Sequence, residues 1–109
     1  MNEIEQALTI TTTAEGDRSV IAVGGEIDVH TCGELEDAVR RAYGTGGAQI
    51  LLDVAGVGFI DSSGLRSLIT LQQEVANTNG ALQLRAPSRP VLRLLEVTGL
   101  TSMFPVTPD

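Results

Sequence analysis

The beginning of the chain shows the two-residue alternation of β-strands. Leu8 and Ile10 alternate with threonines, and this period predicts a strand with one buried face. The turn-forming residues Glu15-Gly16-Asp17 follow, and Ser19–Val23 predicts a second strand. Because a short turn joins the two apolar runs, we expect an antiparallel hairpin, with Gly24-Gly25 ending its second strand.

A helical period replaces the alternation after this hairpin. Thr31–Tyr43 is predicted to be a helix, because its apolar residues recur every three or four positions. These residues are Leu35, Ala38, Val39 and Ala42. Thr31 and Glu34 have the spacing of a capping box. Gly44 is suited to the left-handed residue that often follows a helix.

The middle of the chain predicts a buried strand and then a second helix. Gln49–Val54 contains the continuous apolar run Ile50-Leu51-Leu52, which is typical of a strand covered on both faces. After a short glycine-rich stretch, Gly64–Asn77 predicts a helix that Asn79-Gly80 would stop. The expected buried face of this helix consists of Leu65, Leu68, Ile69, Val75 and Ala76.

The rest of the chain predicts one more strand, one more helix and a short last strand. Leu82 and Leu84 mark the strand, and the helix runs from Ser88 to Thr98 and is closed by Gly99. Phe104-Pro105-Val106 predicts a short edge strand, where proline is tolerated. The order β-β-α-β-α-β-α-β implies parallel strands joined by right-handed crossovers. We therefore expect an α/β fold in a single domain, with a mixed four- to five-stranded β-sheet packed with α-helices.

Two polar loops follow predicted strands, at the positions where α/β sheets gather functional residues. One loop is Gly25–Thr31, after the second strand, and the other is Phe59–Leu65, after the third strand. If the two strands are parallel neighbours, both loops leave the same edge of the sheet. We therefore expect these loops to meet.

Composition and charge argue against several classes of function. Acidic residues outnumber basic ones by 14 to 7, and the net charge is -7, which disfavours binding to nucleic acid or to an anionic membrane surface. The single cysteine, Cys32, and the single histidine, His30, argue against an intrachain disulfide and against a metal site. Met1–Gln6 carries no basic residue, and no apolar run approaches the roughly 18 residues of a membrane span. We therefore expect a cytoplasmic protein without a signal peptide.

Asp61-Ser62-Ser63-Gly64-Leu65 is the segment with the most chemical content. One interpretation is structural: Asp61 or a serine caps a helix by accepting hydrogen bonds from its free amides, and Gly64 permits a tight entry. The other interpretation is functional: a serine hydroxyl stands exposed at a helix start, where an added phosphate would meet backbone amides. The residue pattern is compatible with both.

Two catalytic arrangements are also compatible with the residues present. Ser63, His30 and Asp28 could form a nucleophile, base and orienting acid. Asp28 and Asp61 could form a carboxylate pair for acid–base chemistry. However, no nucleophile-elbow pattern surrounds Ser63, and the aromatic residues that usually accompany carboxylate pairs in glycan-cleaving sites are scarce.

Three segments, in order, resemble the STAS domain of bacterial anti-sigma factor antagonists. Gly25–Thr31 is close to the family pattern G-E-[LI]-D-x-x-T. Leu52-Asp53-Val54 followed by Phe59–Leu65 is close to L-D-[LV]…F-[IM]-D-S-[ST]-G-L. Leu94–Leu100 followed by Phe104 resembles the carboxyl-terminal pattern L-[LI]-x-[LI]-x-G-L…F. The resemblance covers nearly the whole chain and implies a STAS domain over residues 1–109.

This resemblance implies a partner switch and no catalytic activity or cofactor of the protein's own. In the family, the unphosphorylated protein binds an anti-sigma factor that is also a serine kinase, and a sigma factor is freed for transcription. The kinase phosphorylates the second residue of the serine pair, which is Ser63 here, and a serine phosphatase restores binding. The residues implied in partner binding are Asp28, Thr31, Asp61, Ser62 and Gly64.

Two alternatives to the switch stay open. The first is a STAS domain that is not phosphorylated and serves as a scaffold or accessory subunit in a sensory or transport complex. The second is a small enzyme that uses Ser63 or the Asp28–Asp61 pair. For Asp28 itself, we expect a functional role, in which its carboxylate aligns the serine hydroxyl or meets a cation on the kinase.

Overall fold

Five strands and three α-helices follow one another in the order expected from the sequence. The structure, a computed structural model, describes residues 8–44 and 48–107. The strands are β1 (Leu8–Glu15), β2 (Arg18–Ile27), β3 (Gln49–Ile60), β4 (Ala81–Arg85) and β5 (Val106–Thr107). The helices are α1 (Cys32–Tyr43), α2 (Ser62–Asn77) and α3 (Arg89–Thr98), and a 3₁₀ helix spans Thr101–Met103. The segment Met1–Gln6, on which the expectation about a signal peptide rests, lies outside the described residues.

The strands form one mixed sheet in the order β1-β2-β3-β4-β5. β1 and β2 are antiparallel and form the predicted hairpin, whereas β2, β3, β4 and β5 are parallel to one another. Each parallel connection contains one α-helix, as is usual for strand–helix–strand units, and the last connection also contains the 3₁₀ helix. The predicted α/β fold with a mixed sheet is therefore confirmed, and the sheet has five strands.

Glycines lie within β2 and β3, although the sequence predicted that they would end these strands. Gly24-Gly25 does not stop β2, which continues to Ile27 with two shifts of register against β3. Gly25 has a φ of 99°, which favours glycine. A Cβ on Gly56 of β3 would lie 3.2 Å from the Cα of Gly24. The glycines thus allow a bulge and a close approach inside the sheet, and β3 runs on to Ile60.

The helix ends agree only in part with the predictions. Ser88 precedes α3, and Gly99 follows it with a φ of 73°, as expected for a left-handed residue beyond a helix. Gly44, in contrast, has a φ of -51° and stays right-handed, so its predicted left-handed conformation is wrong. The Thr31–Glu34 capping box is also wrong, since Thr31 makes no side-chain capping bond and its hydroxyl donates to the carbonyl oxygen of Glu26 instead.

One hydrophobic cluster joins the sheet to the helices. Ile21, Leu52 and Leu84 are cross-strand neighbours on β2, β3 and β4, and each is 0% exposed. The helices contribute Leu35, Val39, Leu65, Leu68, Leu71, Val75, Val91 and Leu95 to the same cluster. Leu71 belongs to the buried face of α2 although it was not expected there, whereas Ala76, which was expected there, is exposed. Because the core reaches both helix starts that follow β2 and β3, it holds these starts in fixed positions.

Candidate functional site

The two predicted loops meet at the carboxyl ends of β2 and β3. Ile27 and Ile60 are paired across these two parallel strands, and the backbone N–H of Asp61 donates to the carbonyl oxygen of Ile27 at 3.2 Å. From this edge, the chain after Ile27 enters α1 and the chain after Ile60 enters α2. The expectation that both segments lie together is therefore confirmed.

Asp61 caps α2, as one interpretation of the sequence predicted. Its backbone is extended, and its carboxylate accepts a hydrogen bond from the backbone N–H of Gly64 at 3.0 Å. Because Asp61 is the cap, the helix begins at Ser62 and not at Gly64 as predicted. Ser62 is exposed and Ser63 is half-buried, so both hydroxyls lie in the first turn at the protein surface.

Gly64 holds the start of α2 tightly against the sheet. A Cβ at this position would lie 2.7 Å from the Cγ2 atom of Ile27, 2.7 Å from its carbonyl oxygen and 2.9 Å from the Cγ1 atom of Ile60. These distances are shorter than any side chain can accept without displacement of its neighbours. Gly64 therefore determines how closely the serine pair approaches the strand ends.

Asp28 and Thr31 hold the start of α1 through side-chain hydrogen bonds. The Oδ1 atom of Asp28 accepts from the backbone N–H groups of His30 at 2.9 Å and Thr31 at 3.1 Å. Thr31 is 5% exposed. Its Oγ1 atom accepts from the backbone N–H of Asp28 at 2.9 Å and donates to the carbonyl oxygen of Glu26 at 2.7 Å. These bonds fix the turn that carries Val29 and Cys32 towards α2.

A pocket of about 300 Å³ lies between the starts of α1 and α2. The residues that line it are Val29, Cys32, Glu36, Ser62, Ser63, Arg66, Ser67 and Thr70. Val29 is 63% exposed, so an apolar side chain stands at the edge of a pocket lined by hydroxyl groups. Such a surface can bind a partner through an apolar contact surrounded by hydrogen bonds.

A polar network across α1 and α2 supports one wall of this pocket. Glu36 accepts from the hydroxyl of Ser67 and pairs with Arg40 at 3.4 Å. Arg40 also donates through Nε and Nη2 to both carboxylate oxygens of Glu74, at 3.0 and 2.9 Å, and Tyr43 donates to Glu74 as well. The hydrogen bonds from Arg40 and then Tyr43 lower the pKa of Glu74 to about 2. This network was not predicted from the sequence. The only signal in the sequence was the four-residue spacing of Glu36 and Arg40, which suits an ion pair on one helix face.

The Ser63, His30 and Asp28 arrangement considered from the sequence is not assembled in residues 8–44 and 48–107. No hydrogen bond within these residues joins Ser63 to His30 or to Asp28, because the Asp28 carboxylate faces its own turn. His30 is exposed. The same part of the chain contains no group of three or more His, Cys, Asp or Glu side chains that could hold a metal ion.

The six residues selected from the sequence thus fall into two structural groups. Ser62 and Ser63 line the pocket. The other four, Asp28, Thr31, Asp61 and Gly64, are engaged in the turns and packing that shape it. Their direct contact with a partner stays a prediction.

Comparison with known proteins decides the family. The sequence model of the family described as "Mlab, STAS domain" matches residues 10–105. The chain belongs to the STAS domain family. Among the helices that the structure describes, none is long and apolar enough to cross a membrane.

Several relatives that match most of the chain are named anti-sigma factor antagonists. The chain is 30% identical over 99 residues to the anti-sigma-B factor antagonist of Staphylococcus aureus, which covers 91% of this chain and 92% of the relative. The crystal structure of an anti-sigma factor antagonist from Mycobacterium paratuberculosis superimposes with a TM-score of 0.82 at 27% identity, covering 94% of this chain and 86% of the other. The phosphorylated form of the Bacillus cell fate determinant SpoIIAA superimposes with a TM-score of 0.70 at 20% identity, covering 93% of each chain. This STAS domain therefore shares its fold and most of its length with anti-sigma factor antagonists.

Proposed function

We propose that this STAS protein is an anti-sigma factor antagonist that is switched by phosphorylation of Ser63. In its unphosphorylated form it binds an anti-sigma factor with serine kinase activity, so that a sigma factor is freed for transcription. A serine phosphatase returns the phosphorylated protein to the binding form. The observation that carries the proposal is the position of Ser63, which is half-buried in the first turn of α2 and lines the pocket beside exposed Val29.

The surroundings of Ser63 are suited to phosphoryl transfer from a bound kinase. Within the described residues, its hydroxyl makes no hydrogen bond that a kinase would have to break. In the transfer, the serine Oγ forms a bond to the γ-phosphorus of ATP, the bond to the bridging oxygen breaks, ADP leaves and a base of the kinase takes the hydroxyl proton. Asp61, the residue before the pair, stays occupied as the helix cap.

Phosphorylation would weaken the complex through charge. A phosphoserine adds about -1.5 to -2 charges to a protein whose net charge is already -7. Inside a docked interface the new charge is desolvated and meets neighbouring carboxylates. Leaving a charge unpaired in an interface costs roughly 2–5 kcal/mol, which corresponds to about 30- to 4,000-fold in affinity.

The proposal is tested with paired serine variants and a partner kinase. We expect Ser63→Ala to bind the anti-sigma factor like the unphosphorylated protein and to be insensitive to ATP, and Ser63→Glu to bind at least about tenfold more weakly. Ser62→Ala is the matched control, since it removes the neighbouring hydroxyl, and it should still be phosphorylated and released. Calorimetric titration gives the affinities, and tandem mass spectrometry locates the phosphate.

Two results would overturn the proposal in different ways. Phosphate found mainly on Ser62 would refute the assignment to Ser63 while leaving a phosphorylation switch. Equal binding by Ser63→Ala, Ser63→Glu and the unchanged protein, with no phosphate gained, would refute the switch and favour the unphosphorylated STAS scaffold.

A further inference from the structure

Two charged side chains line the pocket beside Ser63, and they differ in whether they already have a partner of opposite charge. Glu36 lies on α1 and is already engaged, because its carboxylate pairs with Arg40 at 3.4 Å and accepts from Ser67 at 2.5 Å. Arg66 lies on α2, is exposed and makes no ion pair within residues 8–44 and 48–107. Arg66 is thus a pocket cation that Glu36 does not neutralise.

The spacing of Arg66 places it next to Ser63. Both residues lie on α2, three positions apart, and both line the pocket. Residues three apart on a helix are neighbours on its surface, with about 5–6 Å between their Cβ atoms. The long arginine side chain can therefore bring its guanidinium group to an anion attached to the Ser63 oxygen, and guanidinium groups bind phosphate oxygens through paired N–H donors.

We propose that Arg66 is the internal counter-charge of phosphorylated Ser63, pairing with the phosphoryl group across one turn of α2. This inference rests on the proposed function, since it assumes that Ser63 carries the phosphate. In the unphosphorylated protein the guanidinium group of Arg66 is free to meet a carboxylate of the partner. In the phosphorylated protein the same group is held by the phosphate.

Phosphorylation then changes the docking surface in two ways. It adds negative charge at Ser63, and it occupies a cation on the pocket wall that the unphosphorylated protein offers to a partner. Arg66 also moderates the repulsion between the phosphate and the carboxylates of Glu36, which lines the same pocket, and Asp61, which precedes the serine pair.

The pairing is tested without any kinase or partner, on full-length protein with phosphoserine inserted at position 63 during translation. Phosphorus NMR follows the second ionisation of the phosphate with pH. A neighbouring cation favours the dianion and lowers this pKa. We expect Arg66→Gln to raise the phosphate pKa by about 0.4 units, which is about 2.5-fold in the acid dissociation constant. Arg93→Gln on α3, which removes the same charge away from the pocket, should leave it unchanged.

The outcomes separate this inference from the function on which it rests. Equal phosphate pKa values in Arg66→Gln, Arg93→Gln and the unchanged sequence would overturn the pairing, even if a kinase phosphorylates Ser63. A shift found only with Arg66→Gln, and reduced at high salt as expected for an exposed pair, would support the pairing. It would do so even if the anti-sigma factor binds both forms equally, a result that would refute the switch alone. Thermal unfolding of both variants shows that they are folded.

Discussion

The Asp28 carboxylate accepts hydrogen bonds from the backbone of its own turn. Its Oδ1 atom accepts from two backbone N–H groups of the following residues and also contacts the Thr31 hydroxyl at 3.3 Å. The carboxylate thus supplies an acceptor to the His30 amide just before α1, whereas the Thr31 amide also donates to the carbonyl oxygen of Asp28 at 3.2 Å. Asp28 therefore stabilises the turn before α1. Its expected contact with a kinase stays a prediction.

Two substitutions at Asp28 separate these roles. Asp28→Ala removes the acceptor, so the free energy of unfolding should fall by about 1–2 kcal/mol, as for loss of a helix cap. Asp28→Asn keeps Oδ1 as an acceptor and should cost less than about 0.5 kcal/mol. Urea unfolding measures both, with Asp37→Ala on the exposed side of α1 as the control.

Partner binding by the Asp28→Asn variant then tests the kinase contact. If its affinity or its rate of phosphorylation falls about tenfold while its stability is kept, the charge of Asp28 meets the partner. If Asp28→Asn is as unstable as Asp28→Ala, the structural account of the turn is wrong.

At the scale of elements, contact with the ends of β2 and β3 fixes the start of α2. Helix propensity alone would therefore predict the wrong effect for a substitution of Gly64. Gly64→Ala should favour a helix by up to about 1 kcal/mol. Its Cβ would, however, meet Ile27 and Ile60 at under 3 Å, and overpacking of this kind costs about 1–3 kcal/mol. We therefore expect Gly64→Ala to lower the melting temperature.

Gly33 provides the matched control for this prediction. It also lies in the first turn of a helix, α1, but a Cβ there would meet nothing within 4 Å. Gly33→Ala should consequently stabilise the protein by about 0.5–1 kcal/mol. Calorimetric melting of both variants checks the pair, and a stabilised Gly64→Ala variant would contradict the tight contact.

The contact between α1 and α2 makes part of the stability depend on pH. Arg40 and Tyr43 depress the pKa of Glu74 from 4.5 to about 2, so folding favours the ionised carboxylate. The resulting stabilisation is present above pH 4.5 and is lost as the pH falls towards 2. Arg40 is 41% exposed and Glu74 31%, so solvent screening limits the contribution to about 1 kcal/mol.

Urea unfolding between pH 6 and pH 3 tests this contact. The stability advantage of the unchanged protein over Glu74→Gln should shrink as the pH falls, because protonation removes the same charge. Arg40→Gln removes the main cause of the shift and should flatten the pH dependence in the same way. If Arg40→Gln keeps the full pH dependence of the unchanged protein, the pair does not produce it.

At the scale of the whole molecule, the hydrophobic core of the described residues extends to Phe104, close to the end of the last described segment. Phe104 follows the 3₁₀ helix, is 1% exposed and belongs to the cluster that joins sheet and helices. Pro105 and the short strand β5 (Val106–Thr107) come after it, so the predicted edge strand begins two residues later than expected. Phe104 thus anchors the last strand by packing, since β5 pairs with β4 over two residues alone.

The two phenylalanines of the chain allow a matched test of this anchoring. Phe104→Ala should lower the free energy of unfolding by about 3–5 kcal/mol, the usual cost of emptying a buried aromatic site. Phe59 is 47% exposed, and Phe59→Ala should cost less than about 1 kcal/mol. Denaturant unfolding followed by circular dichroism measures both, and equal costs would contradict a core that closes on Phe104.

The sequence by itself determined the order of the elements, the hairpin, the approximate positions of the helices and the meeting of two loops at one edge of the sheet. It also located the serine pair at a helix start and indicated Asp61 as a cap. These features follow from hydrophobic periods and turn residues, which act over a few neighbouring positions. Such features can therefore be predicted from the sequence alone.

The tertiary structure alone decided how far β2 and β3 continue, what the Thr31 hydroxyl binds and which side chains surround Ser63. β2 and β3 run through their glycines because each strand approaches the other closely there. Glu36 reaches Ser67, 31 positions away, and Arg66 joins Val29 at one pocket. Such contacts depend on the packing of distant segments, where the burial of a shared core outweighs local turn and capping preferences.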